Sequence, residues 1–397
     1  MRPSAEACAA AITLLPGIGP ARVLSMVRGR DPRDVWGDVL AGRIVRRQQA
    51  QPDLLGETDV RTDRSWATAA GSHDTEQWWE AARARGARVT WIGRDDYPSV
   101  LDDDPHPPGV LFWTGSLAFL GQPRVAIVGT RSASPEGRAV AHDMARGLAA
   151  EGVCVVSGLA LGIDASSHAG ALSVTTGRHG GSARAPTVGV AASGVDVPYP
   201  TRHRALWERV AGAGAVISET PPGQPAQAWR FPARNRIIAA LSQVVVVVES
   251  HAAGGSLITA EAAIERGIEV RVVPGPVNSP CNRGSNQLLY DGAGPVRSAS
   301  DVLDALGILL PEAHGQGGAD RAVQGGRDRK WKPGRVLPRL DPSEAAVLRA
   351  VGWTLATTNR VAERSALPAQ RVAVALEALA ARGLVEDDRG WWRRIRG

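Results

Sequence analysis

Between residues 76 and about 308 the apolar positions fall in two alternating rhythms. Short unbroken runs come first: Val89–Ile92, Val110–Trp113, Val125–Val128, Val153–Val156, Thr187–Ala191, Ala215–Ser218, Val244–Val248 and Val270–Val273. Runs without polar alternation, stopped by Gly, Ser or Pro, mark strands covered on both faces. Between them apolar residues recur at helical spacing, as in Ala139, Val140, Met144, Ala145 and Leu148. That helix has a clear start at Ser134-Pro135-Glu136: a Ser N-cap, Pro at the first helical position and an acid in the first turn. Gly152 stops it. Parallel strands need such crossover helices. The pattern therefore predicts an α/β fold with an extended Rossmann-like parallel sheet over 76–308.

The flanks differ in texture. Residues 1–75 read as a small helical domain, with 41–75 polar and weakly patterned. The stretch Leu14-Leu15-Pro16-Gly17-Ile18-Gly19-Pro20-Ala21 resembles the turn of a helix-hairpin-helix (SAM-like) domain. Two readings stay open there: backbone amides offered to a nucleic-acid phosphate, or an ordinary turn using Gly for positive φ. Residues 173–186 read as a Gly/Ser/Arg-rich surface insertion, and 309–340 as a linker with a basic run at 327–332. Residues 341–397 form a further domain, with helices at Pro342–Ala350, Thr357–Glu363 and Pro368–Arg382 and a hairpin of Leu384–Glu386 with Trp391–Arg393. Three helices and a terminal hairpin are the winged-helix pattern. Its third helix shows few basic residues beyond Arg371 and Arg382, so DNA contact and protein contact both stand.

Composition narrows the partners. The formal charge of +6 over 397 residues permits a polyanion without naming one. The three cysteines, Cys8, Cys154 and Cys281, are far apart, which fits a reduced cytoplasmic protein with neither disulfides nor a metal site. No cofactor is expected. Pro16-Gly17-Ile18-Gly19-Pro20 breaks the weak apolar start, so a signal peptide is not expected. No apolar run approaches membrane length.

The candidate chemistry lies at the strand-to-helix turns. Gly129-Thr130-Arg131-Ser132 follows the third strand, where a helix N-terminus favours an anion. Both the G-x-G-x-x-G fingerprint and the P-loop pattern are absent, so the turn is either an anion site of another kind or a plain turn with a solvated arginine. The second turn holds Ser157, Gly158 and Gly162, with Asp164 read as the cap of the next helix and His168 as structural. Trp229-Arg230-Phe231-Pro232-Ala233-Arg234-Asn235-Arg236 interleaves aromatics with arginines, the combination that holds single strands by stacking and phosphate neutralisation. A third glycine turn carries Gly255, Ser256 and Thr259. In an open parallel sheet these turns gather at the carboxyl ends of the strands.

In order along the chain, these motifs resemble the DprA/Smf family. The carriers are Val125–Arg131, Ser157-Gly158-Leu159-Ala160 with Gly162-Ile163-Asp164, His168, Tyr199-Pro200, Phe231-Pro232, Arg234–Ala239, Gly255–Ala260, Arg283-Gly284 with Asn286, and Asp291-Gly292-Ala293. The resemblance implies a DNA-processing protein of natural transformation and recombination. Such a protein binds and protects single-stranded DNA, forms a homodimer, helps load the RecA recombinase and is not an enzyme. It implies a DNA site of Gly129, Thr130, Arg131, Ser132, Ser157, Gly158, Gly162, Arg230, Phe231, Arg234, Asn235, Arg236, Gly255, Ser256 and Thr259. Leu161 stands where many members carry a basic residue, and Ala191-Ala192-Ser193-Gly194 replaces the usual L-G-C-G. The alternative is a nucleotide-processing enzyme of the lysine-decarboxylase-like Rossmann group. The stretch Ala253–Glu261 departs from that group's P-G-G-x-G-T-x-x-E pattern around Ile258. A third reading makes the chain a regulator that contacts duplex DNA through residues 341–397.

Overall fold

The computed structural model describes residues 3–44, 60–72, 74–174, 187–308, 341–351, 356–388 and 391–394. Most of the 173–186 insertion and the whole 309–340 linker with its basic run lie outside the described residues. Contacts group the chain into two units, Met1–Leu309 and Leu310–Gly397.

Among the described residues the first unit opens with the helices α1 (Ala5–Ile12), α2 (Pro20–Val27), α3 (Pro32–Leu40), α4 (Val60–Gly71) and α5 (Thr75–Ala84). Then come β1 (Arg88–Trp91), α6 (Ser99–Asp102), β2 (Val110–Gly115), β3 (Arg124–Val128), α7 (Pro135–Ala150), β4 (Cys154–Ser157), α8 (Ile163–Ala171) and β5 (Thr187–Val190). They are followed by α9 (Arg204–Ala213), β6 (Ala215–Ser218), α10 (Arg230–Ala240), β7 (Val244–Val247), α11 (Gly255–Glu265), β8 (Glu269–Val272), α12 (Arg283–Tyr290), β9 (Gly294–Pro295) and α13 (Ala299–Ala305).

The strands make one nine-stranded sheet in the order β1-β2-β6-β5-β4-β3-β7-β8-β9. From β6 to β9 every neighbour is parallel; β1 and β2 pair antiparallel at one edge. The apolar runs explain the order. Val125–Val128 and Val244–Val247 are all buried, so β3 and β7 occupy the middle, with helices on both faces. From β3 the chain builds β4, β5 and β6 to one side, then crosses to build β7, β8 and β9 on the other. The carboxyl ends of β3 and β7 are thus the topological switch point, where the following turns diverge and leave a crevice.

Local signals set the helices as the sequence predicts. Ser134 Oγ accepts from Gly137 N at 2.9 Å, Pro135 opens α7, and its buried stripe includes Ala141, Met144, Ala145 and Leu148. Asp164 does not cap α8. The N-cap is Gly162, at φ +73, and Asp164 lies inside the first turn with its carboxylate buried. A β-carbon at Gly162 would stand 2.3 Å from Thr130 O, so this turn is closed against the first by close backbone approach. The short α6 is a helix that the Pro-rich sequence around it did not reveal.

The N-terminal helices bury residues such as Ile12, Trp36 and Trp66 in the same hydrophobic cluster as the strands. Trp66 Nε1 donates to Pro16 O at 2.8 Å and pins the glycine turn between α1 and α2.

The second unit is described from Asp341. It contains α14 (Pro342–Ala350), β10 (Ala356–Thr357), α15 (Thr358–Ser365), α16 (Ala369–Ala381), β11 (Val385–Asp388) and β12 (Trp391–Arg394). Asp341 and Glu344 close a reciprocal capping box at the start of α14. The strands pair antiparallel in the order β10-β12-β11, and Val347, Val361, Val372, Leu376 and Val385 form the core.

His168, on α8, is fully buried against β4 and β5. Thr187 Oγ1 donates to Val155 O at 2.9 Å, so at 2.8 Å it accepts from His168 Nδ1–H. Burial first, then the positive charges of Arg234 and His203, push the imidazole down to about 3. A depressed pKa means that its contribution to stability is complete above the unfolded value of about 6.5 and is lost as pH falls toward 3. Below pH 6.5 this group alone is expected to remove about 1.4 kcal/mol per pH unit. Denaturant melts between pH 7 and 4 check this: His168→Gln flattens the acid slope, and an unchanged slope contradicts the assignment.

Candidate functional site

At the switch point the turns after β3 and β7 enclose a cleft of about 380 Å³. Its walls are Val128–Arg131, Ala160 and Asp164, Phe231, Pro232, Arg234, Asn235 and Ile238 from α10, and Gly254, Gly255, Ser256, Ile258 and Thr259 from α11. The three glycine-containing turns and the arginine–aromatic segment therefore do converge, although not all of their residues face the cleft.

The first turn is built differently from the sequence expectation. The start of α7 is already supplied with an anion by the protein. Glu249, the acid that ends the β7 run, accepts from Ser134 N at 2.9 Å and from Ser134 Oγ at 2.6 Å. Thr130 N donates to Glu249 O at 2.7 Å, and Ser132 N to Thr130 Oγ1 at 3.2 Å. These amides are occupied, so the turn does not present a free anion cradle from α7. Gly129 is required where the turn passes Ile163 and Glu249 O, which a β-carbon would meet at 2.5 and 2.8 Å.

The helix start that faces the cleft is that of α11. The amides of Gly255 and Ser256 have no acceptor within the helix and favour a negative charge, while Leu257 N donates to Gly254 O at 3.0 Å. Asn235 Nδ2 donates to Gly255 O at 3.0 Å, and Ser256 Oγ to Ser250 Oγ at 2.8 Å, which fixes this turn. Thr259 is buried one turn further on and completes the wall.

Arg131 supplies the exposed charge at the rim. Its guanidinium lies 4.8 Å from the centroid of Phe231, and the Tyr199 ring leans on the same phenyl at 5.6 Å. A guanidinium over an aromatic face is held by cation–π attraction without losing its outward donors.

Below this rim lies Arg234, which is buried. Its Nη1 donates to Gly158 O and Val190 O, carbonyls beyond β4 and at the end of β5. A β-carbon on Gly158 would stand 2.1 Å from Arg234 Nη1 and 2.6 Å from the Asp164 carboxylate, so only glycine leaves room for both side chains there. Burial lowers the Arg234 pKa to about 10, opposed by Asp164. Burial likewise raises the Asp164 pKa, opposed first by Arg234. Arg234 is thus a strut rather than a solvent-facing cation.

Other expected positions are corrected in the same way. Arg236 reaches away from the cleft to Glu219 at 2.5 Å and to His106 O; burial demands that Glu219 be paired, and Arg236 is spent on it. Ser157 is fully buried with Oγ on Ile127 O at 2.7 Å. With Gly158 and Gly162 it supports the turn without lining the cleft. Ser132 is exposed outside the lining. Arg230 is half-buried, bonded to Pro225 O at 2.7 Å, on the other flank of α10. Sequence reading missed Glu249, Tyr199 and the rim residue Ile258; an acid closing the most β-like run was the signal for the first. Glu261 is exposed and absent from the cleft wall, so no carboxylate of α11 faces the site for acid–base work. Among the described residues no group of three His, Cys, Asp or Glu is placed to hold a metal.

Residues 88–307 match the family model described as DNA recombination-mediator protein A. A DprA relative from Mycobacterium tuberculosis H37Rv is 33% identical over 398 residues, covering 98% of this chain and 91% of its own. The DNA processing protein DprA of Streptococcus pneumoniae R6 is 39% identical over 209 residues, covering 53% of this chain and 71% of its own. The X-ray structure of DNA processing protein A from Streptococcus pneumoniae superposes with a TM-score of 0.56 at 29% identity, covering 72% of this chain and 98% of that one.

The two arginines of the site are expected to separate in stability measurements. Arg234→Leu leaves Asp164 buried without its counter-charge and costs about 3–5 kcal/mol. Arg131→Ala stays within about 0.5 kcal/mol of the parent, as an exposed position does. Denaturant midpoints test this, and equal losses contradict the strut role.

Proposed function

Because the chain belongs to the DNA recombination-mediator protein A family, that of the DprA and Smf proteins, we propose that it is a DNA-processing protein that binds single-stranded DNA in transformation and recombination. The observation that carries this reading is Arg131 stacked on Phe231 at the rim of the switch-point cleft. A backbone phosphate meets Arg131 and the first amides of α11, and a base stacks against the Phe231 and Tyr199 rings. This is the pairing of charge and aromatic face that single strands use. Gly129, Thr130, Gly255, Ser256 and Thr259 shape the phosphate seat. Ser157, Gly158, Gly162, Arg234 and Asn235 position it, and Ser132, Arg230 and Arg236 belong to its surroundings.

The same reading assigns no catalytic step to the site. Arg131 is the exposed cation of the cleft; of the carboxylates around it, Asp164 is buried under the charge of Arg234 and accepts from Ala160 N, and Glu249 accepts from Ser134. We further infer a homodimer that protects incoming strands and helps load the RecA recombinase, working in the cytoplasm. The organisation in this reading is a helix-hairpin-helix-like domain at 1–75, an extended Rossmann-like domain at 76–308, a linker at 309–340 and a winged-helix domain at 341–397. The three helices and small sheet of the last support it. Among the described residues no helix is long and apolar enough to cross a membrane.

Arg131→Ala is expected to weaken binding of a single-stranded oligonucleotide by about tenfold or more, with the fold intact. Wild-type affinity is expected to fall steeply with salt, each phosphate contact adding a slope of about −0.7. Fluorescence anisotropy over a salt series tests both: unchanged Arg131→Ala affinity, or a flat salt profile, sinks the phosphate seat.

A further inference from the structure

A second and larger cleft, about 690 Å³, lies on the other flank of α10. We propose that it receives a nucleobase of the same strand, stacked on Trp229; this rests on the single-strand reading above. The cleft is formed between the pinned glycine turn joining α1 to α2 and the loop that leads into α10. Trp229 stands at its wall with 52% of its surface exposed. An indole left this open costs apolar burial that a stacked base would recover.

The placement on α10 links the two clefts. Trp229 already has helical φ and ψ as the N-cap, and residues two apart on a helix point about 200° apart. Trp229 and Phe231 therefore set their rings on opposite flanks of one helix start. Arg230 lies between them, its guanidinium 5.2 Å from the Trp229 ring. Arg234 lines both clefts. A strand whose phosphate sits at Arg131 can thus pass over this turn with successive bases on either side.

The chemistry of the larger cleft suits a base rather than a phosphate. Its polar groups include the neutral side chains of Thr13, Gln224 and Gln227, which match the donors and acceptors of base edges. Gln227 Oε1 accepts from Trp229 Nε1 at 2.7 Å and orients the indole. The acid in its wall, Glu219, is tied to Arg236, and the wall's two guanidiniums, Arg230 and Arg234, are already bonded to the carbonyls of Pro225 and of Gly158 and Val190. The volume falls in the range of small-ligand pockets, about 300–1,000 Å³.

The test compares an oligothymidylate with an oligonucleotide of the same length carrying abasic positions, on the full chain. Trp229→Ala is expected to weaken oligothymidylate binding roughly five- to 150-fold, the measured span for loss of one aromatic stack. Trp229→Phe restores most of it, and the abasic strand binds Trp229→Ala and parent alike. Arg131→Ala weakens both strands together, so a failed phosphate seat gives a different pattern from a failed base pocket. Unchanged oligothymidylate affinity in Trp229→Ala, or an equal loss on the abasic strand, overturns the proposal; the latter result means that Trp229 serves the backbone of the strand and not a base. Melting curves of the variants, unchanged at so exposed a position, confirm that binding and not folding is being read.

Discussion

One buried guanidinium holds the site together. Arg234 reaches from α10 to the carbonyls of Gly158 and Val190, and so ties the helix to the carboxyl ends of β4 and β5. Asp164 supplies the opposite charge nearby, and Gly158 leaves the space that both side chains occupy. A charge this deep is tolerated because Nη1 is held by two carbonyls and a counter-charge is near, which also offsets the buried Nε that has no partner. With α10 fixed, Phe231 is fixed on one flank and Trp229 on the other. Asn235, one residue on, clamps the start of α11. The rim of the cleft is therefore set by a helix whose own position is set from below.

This divides the arginines into two kinds. Arg234 and Arg236 are bound to the protein's own carbonyls and carboxylates, whereas Arg131 stands in solvent on an aromatic ring. A positive sum over the segment overstates what a polyanion would meet. Glu249 extends the same economy to the first turn, because its carboxylate occupies the start of α7 and leaves the start of α11 as the one that faces the cleft.

Much of the fold was legible in the chain because buried parallel strands are written as unbroken β-branched runs. Val125–Val128 and Val244–Val247 read as interior strands, and both lie inside the sheet fully buried. Ser134 with Pro135 marked a helix start, and that cap is present. The convergence of Arg131, Phe231 and the Gly255 turn was legible for the same reason, since turns after parallel strands share one edge. What was not legible is where each side chain points. Helical spacing puts Arg230 and Arg234 on one face of α10 and Arg236 on the opposite one, but the neighbours that capture Arg234 and Arg236 come from residues far along the chain. Gly158 meets Arg234 across 76 positions, and Glu219 meets Arg236 only because β6 ends beside α10. Asp164 looked like a cap because local sequence rules describe exposed helix starts, and this one is buried.

The central claim is that the cleft selects an extended, flexible polyanion with bases free to stack. The measurement that meets it most directly is a titration, at one moderate salt concentration, of single-stranded DNA, duplex DNA of the same sequence and a mononucleotide. The expected order is single strand well ahead of duplex, with the mononucleotide weakest because it offers one phosphate and one base. Duplex binding as tight as the single strand, or saturation by the mononucleotide at the same concentration, would contradict it.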